Sequence, residues 1–126
     1  MSKASVDFTI THPIGYELCE DFTKGAKITN DQDEALRNAD FIYVKNWSAY
    51  TDYGKIHTTD NSWMLTNKKL KITNNAKVMH CLPVRRNVEL SDEVLDSPNS
   101  LVLQQAQNRL FAAQAVLKKI LETKVK

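Results

Sequence analysis

The chain has 126 residues, 42% hydrophobic and 25% charged, which is ordinary globular composition and the size of one domain with a modest core. A formal net charge of +2, with lysines and carboxylates interleaved, excludes the charge footprint of a nucleic-acid or membrane-surface binder, and no apolar run is long enough to span a bilayer. Cys19 and Cys81 form no paired motif, so neither a disulfide framework nor a zinc site is indicated; without a signal-peptide core after Met1, a cytoplasmic location is the default expectation.

In chain order, Val6 to Ile10 is a β-rich run closed by Thr11-His12-Pro13, and Tyr16 to Phe22 reads as a short helix stopped by Gly25. Ala26 to Thr29 predicts a second strand. Thr29 or Asn30 is positioned to cap a helix running to about Asn38, with Asp31, Asp33 and Glu34 against its positive end. Phe41 to Val44 is a continuous apolar run of the kind covered on both faces, ending in Lys45-Asn46-Trp47. From Ser48 to Thr66 no period is sustained, and Tyr50, Tyr53, His57 and Trp63 sit among polar residues, the pattern of a long functional loop or lid. Thr66 to Ile72 predicts a short helix, Ala76 to Met79 a strand, and Ser91 to Leu95 a helix capped by Ser91. Leu101 to Leu103 reads as a last strand. The final helix carries Leu110, Ala113, Leu117, Ile120 and Leu121 as one apolar stripe, with Lys118 and Lys119 toward water. Strand and helix alternate about five times, which predicts a parallel sheet with helices on both faces.

The stretch from Ala76 to Asn87 concentrates the chemistry. A buried-strand pattern breaks at His80, and a thiol, a Leu-Pro turn, Arg85 and Arg86 follow at once. In an open α/β sheet, ligands bind beyond the carboxyl ends of the strands. The chain has only four arginines, and Arg85, Arg86 and Arg109 all follow the two last predicted strands, which suits an anionic ligand. The alternative is that they are solvated or cap helix ends. Cys81 reads either as a small buried hydrophobe or as a thiolate favoured by nearby guanidinium groups. His12 and His80 read as structural histidines or as catalysts, and Trp47, Tyr50, Tyr53 and Trp63 as a stacking surface or as anchors of the long loop.

His80-Cys81-Leu82-Pro83 resembles the His-Cys-Leu-Pro signature of the aspartate/ornithine carbamoyltransferase family. The continuation Val84-Arg85-Arg86-Asn87 is similar to the branch acting on N-acetyl- or N-succinylornithine. Asp7 to Pro13, Asp40 to Trp47 and Ala106 to Arg109 extend the resemblance over nearly the whole chain. It implies an α/β, Rossmann-like three-layer domain with a parallel sheet and helices on both faces, and transfer of a carbamoyl group from carbamoyl phosphate to the side-chain amine of an acylated ornithine. By this resemblance Cys81 and Leu82 would touch carbamoyl phosphate in the catalytic site, largely through backbone groups. Arg109 would help hold its oxygens, and Lys45 and Arg85 would bind the ornithine derivative. No metal or organic cofactor is implied, nor nucleic acid or membrane; a homotrimer is the family's assembly.

The family's first domain, with its Ser-Thr-Arg-Thr phosphate loop, has no counterpart in residues 1–126, nor does the first strand of the second domain. The expectation is therefore a single domain, most of the ornithine-binding half, inactive alone. Two other readings stand beside it: a generic nucleotide-binding module, which lacks any Gly-x-Gly-x-x-Gly or Walker sequence, and a non-catalytic interaction domain. A carbamoyltransferase for ornithine itself is a further alternative. On the sequence alone, Arg85→Ala is expected to abolish acylornithine binding and leave thermal stability nearly unchanged.

Overall fold

The computed structural model describes residues 6–49 and 61–124. Strands β1 (Thr9–Thr11) and β2 (Lys27–Thr29) pair in parallel with Ile10 opposite Ile28, and helix α1 (Glu20–Thr23) lies between them in the chain. Helix α2 (Gln32–Leu36) leads to β3 (Phe41–Val44), which pairs in parallel with β4 (Lys77–His80), Ile42 facing Val78. A single 3₁₀ turn at Asn61–Trp63 and helix α3 (Asn67–Leu70) precede β4; α4 (Asp92–Leu95) and the long α5 (Val102–Lys124) follow it. The α/β class and the parallel pairing are those expected. The pairing falls into two two-stranded sheets among the described residues.

The core gathers around the second sheet. Leu36, Leu65, Val78, Leu90 and Val94 are buried together, with Ile42, Val44, Leu70, Ile72, Val84 and Leu95 packed against them. Short helices are aimed into this core by their caps, because four-residue helices have too few internal hydrogen bonds to define their own ends. Ser91 Oγ accepts the Val94 N–H at 3.4 Å, and Thr66 Oγ1 accepts the Lys69 N–H at 3.4 Å.

Several expected boundaries shift. The first strand begins at Thr9, not Val6. The helix expected from Tyr16 is confined to Glu20–Thr23: the Tyr16 N–H closes a turn onto the Pro13 carbonyl at 3.2 Å, with Gly15 at φ +90°, so the chain is still turning where the helix was expected to start. Leu18 and Phe22 are exposed and form no buried face. The cap of α2 is Asp31, whose Oδ1 accepts the Glu34 N–H at 3.0 Å. Thr29 and Asn30 are occupied elsewhere, Thr29 Oγ1 donating to Glu34 and Asn30 Nδ2 donating to the His12 carbonyl.

The expected last strand at Leu101 to Leu103 is the largest change. Only Ser100 bridges to Val78, and α5 already starts at Val102, with the Gln105 N–H on the Leu101 carbonyl at 2.8 Å. The apolar stripe of α5 forms as a helical face but finds no cover among the described residues: Leu110, Leu117, Ile120 and Leu121 are 48–59% exposed. Lys118 and Lys119 are exposed as expected, and Lys118 pairs with Glu122 at 3.8 Å.

Candidate functional site at the carboxyl ends of β3 and β4

The register of the second sheet builds the site. With Val44 opposite His80, the next positions along the two chains are Lys45 and Cys81, and the two-residue period of a strand places Tyr43, Lys45, Met79 and Cys81 on one face. Lys45 Nζ donates to Cys81 Sγ at 3.1 Å. This hydrogen bond and charge draw the Cys81 thiol below its ordinary pKa; the Tyr43 hydroxyl adds to the effect and partial burial opposes it. The Lys45 contact thus makes Cys81 easier to ionise than an ordinary thiol.

The backbone around Cys81 is held from two further directions. Arg109 Nη2 donates to the Cys81 carbonyl at 2.5 Å, reaching across from the second turn of α5. Leu82 sits in the left-handed region at φ +58°, a conformation that costs a residue with a Cβ about 1–2 kcal/mol, and its N–H donates to His80 Nδ1 at 3.0 Å. Because Nδ1 accepts, the imidazole proton resides on Nε2 and the ring is neutral. His80 thus has the structural role left open for it.

Burial lowers the His80 pKa, Glu89 opposes that shift, and the Lys45 and Arg85 charges reinforce it. The unfolded chain therefore takes up this proton first, near pH 6.5, while the folded chain resists it. The stabilisation is complete above that pH and is lost as pH falls below it. The melting temperature is expected to decline between pH 7 and pH 5 and His80→Gln to flatten that decline; an unchanged slope in the variant would remove His80 as the cause.

The Arg85 side chain is committed to Glu89. Its Nε donates to Glu89 Oε1 at 2.6 Å, Nη2 pairs with the same oxygen, and its backbone N–H donates to Glu89 Oε2 at 3.2 Å. The Glu89 side chain is 0% exposed and that of Arg85 34%, which leaves Nη1 as the end of the guanidinium available to an anion. The expectation that Arg85 could be removed without loss of stability is therefore corrected: the variant would strand a buried carboxylate. Arg86 is turned away. It pairs with Asp92 at 2.7 Å and Asp96 at 2.8 Å, which hold its proton more tightly than usual, so the adjacent guanidinium groups are not a twin anion site.

His12 is buried, with Nδ1 2.9 Å from the Pro13 carbonyl, and lies outside this cluster. Trp47 meets Tyr16 edge-on at 5.7 Å and Trp63 at 6.1 Å, so these rings anchor the segments flanking the long loop. Tyr50, Tyr53 and His57, and with them most of the expected lid, lie outside the described residues. Among the described residues no group of three or more His, Cys, Asp or Glu is placed to hold a metal ion. Sequence reasoning missed Tyr43, Glu89 and Gln105. Spacing held the signal for each: Tyr43 is one strand period before Lys45, Glu89 is four residues after Arg85, and Gln105 is one helical turn before Arg109.

Residues 1–120 match the family described as aspartate/ornithine carbamoyltransferase, Asp/Orn binding domain. The chain belongs to this family. Within it, the chain is 48% identical over 124 residues to the N-succinylornithine carbamoyltransferase of Bacteroides thetaiotaomicron, covering 97% of this chain and 39% of that protein. It is 37% identical over 97 residues to the N-acetylornithine carbamoyltransferase of Xylella fastidiosa, covering 72% of this chain and 29% of that one. The crystal structure of N-acetyl-L-ornithine transcarbamylase superimposes with a TM-score of 0.78 at 32% identity, over 88% of this chain and 39% of that chain. These relatives lie in the N-acylornithine branch that the Val84 to Asn87 sequence resembles. The chain thus spans well under half the length of the family members it matches.

Proposed function

We propose that this polypeptide is the amino-acid-binding domain of an N-succinylornithine carbamoyltransferase of arginine biosynthesis, working in the cytoplasm. The observation that carries the reading is the convergence of Lys45, Cys81 and Arg109 within hydrogen-bond distance beyond the ends of β3 and β4. The succinyl form is favoured over the acetyl form by the higher identity and fuller coverage of the succinyl-specific relatives. In the reaction, the neutral side-chain amine attacks the carbonyl carbon of carbamoyl phosphate. A carbon–nitrogen bond forms, the carbon–oxygen bond to phosphorus breaks, phosphate leaves, and the amine gives up a proton.

The domain's part in that reaction is to position and to neutralise charge. Arg85 Nη1 and Lys45 receive carboxylate oxygens of the acylated ornithine. Backbone groups of Cys81 and Leu82 orient the carbamoyl end, and Arg109 sets the direction of the Cys81 carbonyl while offering charge to the phosphate. The phosphate grip belongs to a carbamoyl-phosphate-binding domain that residues 1–126 do not contain, in an assembly of three such subunits. The uncovered apolar stripe of α5 supports a domain that works against another protein surface.

Isothermal titration tests the reading. The folded chain, verified by circular dichroism, is expected to release heat with N-succinylornithine, less with N-acetylornithine and none with ornithine, and carbamoyl phosphate is expected to strengthen the first. A folded chain silent to all three amines, with and without carbamoyl phosphate, would overturn it.

A further inference from the structure

The backbone that carries Lys45 out of the second sheet is held by aromatic rings. The ladder between β3 and β4 ends with Val44 opposite His80, so Lys45 and Asn46 lie beyond it, and both are exposed. Trp47 is the next fixed point. Its ring meets Tyr16 at 5.7 Å with an interplanar angle of 69°, and Trp63 at 6.1 Å and 85°, the edge-to-face arrangement that ring quadrupoles favour. Tyr16 is buried in the turn that follows β1, and Trp63 closes the 3₁₀ turn ahead of α3. Two residues past Trp47 the chain is fixed again, because Ala49 is buried.

The outer ring has a brace of its own. Gln32, the first residue of α2, donates through Nε2 to the Trp63 carbonyl at 2.9 Å, and Lys69 Nζ donates both to Gln32 Oε1 and to the Ser62 carbonyl. A lysine side chain has many rotamers to lose, and a backbone free at one end multiplies the places its ammonium can reach. Here the backbone around Lys45 is fixed on one side by the ladder at Val44 and on the other by the rings at Trp47, and Nζ donates to Cys81 Sγ at 3.1 Å. We propose that Trp47 is a positioning residue for Lys45: Tyr16 and Trp63 grip its ring, Gln32 braces Trp63, and the ammonium is thereby held at the carboxyl end of β4 before any ligand arrives. That Lys45 meets a carboxylate of an acylated ornithine rests on the function proposed above; the clamp itself does not.

Acetylation of the folded chain by the N-hydroxysuccinimide ester of acetic acid, with the rate at Lys45 divided by the rate at exposed Lys119 in the same sample, reads the position of Lys45 by mass spectrometry without any substrate. Trp47→Leu and Trp63→Leu are expected to raise this ratio about threefold, because a freed lysine leaves its acceptor more often. Trp63→Phe keeps an aromatic edge for Trp47 and should stay near the parent, a rescue that a general loss of stability would not give. Gln32→Ala, which removes only the brace and is mild for the fold, should raise the ratio about twofold. Ratios unchanged from the parent in Trp47→Leu and Gln32→Ala, in chains with parental circular dichroism, would overturn the proposal, as would a rise in Trp63→Phe equal to that in Trp63→Leu. In isothermal titration, Trp63→Leu is expected to weaken N-succinylornithine about three- to tenfold, the cost of ordering one freed side chain on binding. Raised ratios in the variants of a parent silent to that ligand would uphold the clamp and count against the proposed function.

Discussion

Arg85→Ala is expected to destabilise the domain by about 3 kcal/mol, because it leaves the Glu89 carboxylate fully enclosed with its guanidinium partner gone. The reciprocal change is cheaper. In Glu89→Gln the remaining Arg85 side chain already reaches solvent over a third of its surface and can hydrate its own charge, so a loss of about 1–2 kcal/mol is expected. Truncating both, as Arg85→Met with Glu89→Leu, removes the charges together and should recover most of the difference. Urea unfolding of the three variants separates these cases. Equal losses for Arg85→Ala and Glu89→Gln would mean that the enclosed carboxylate is not the source of the cost. The same series bears on function: the double variant, if as stable as the parent yet silent to N-succinylornithine, assigns ligand contact to Arg85 apart from its role in the fold.

Leu90→Ala should cost a similar amount, about 3 kcal/mol, through the transfer of its methyl groups and the cavity left behind. Leu90 is wholly buried against the cluster of Leu65, Val78 and Val94. Its backbone is also committed. The Asn87 N–H donates to the Leu90 carbonyl at 2.7 Å, and the flanking Ser91 N–H and Glu89 carbonyl bond to Leu65 on either side. The segment after the Leu-Pro turn is thereby fastened to the core, and a gap at Leu90 should loosen Arg85 and Glu89 as well. Leu110→Ala on the uncovered stripe of α5 is the control. With Leu110 59% exposed, its loss should change the stability of this chain by less than about 0.5 kcal/mol. Comparable losses for the two leucines would show that α5 is covered in solution.

Local chemistry accounts for what could be read directly. The runs at Phe41 to Val44 and Ala76 to Met79 became β3 and β4 almost residue for residue, but the expectation that Phe41 to Val44 is covered on both faces is corrected, since Phe41 and Tyr43 on one face of β3 are exposed. Ser91 and Thr66 capped the helices they precede. Around the His80 to Pro83 signature, Lys45 and Arg109 both hydrogen-bond Cys81.

What only the tertiary structure decided is how shared partners are allotted. Asn30 has the chemistry of a cap, yet its amide is taken by the His12 carbonyl eighteen residues away, and Asp31 caps instead. Leu101 to Leu103 has the composition of a strand, yet only Val78 is there to pair with, at Ser100, so helical hydrogen bonds win from Val102 onward. Arg85 and Arg86 are identical in the sequence; Glu89 within the core and Asp92 with Asp96 on the surface make one a buried ion pair open at one end and the other a surface clasp. Periodicity and composition determine which groups each element offers, but which acceptor lies within 3 Å is a property of packing, and here it separates the pair with a buried carboxylate from the surface clasp.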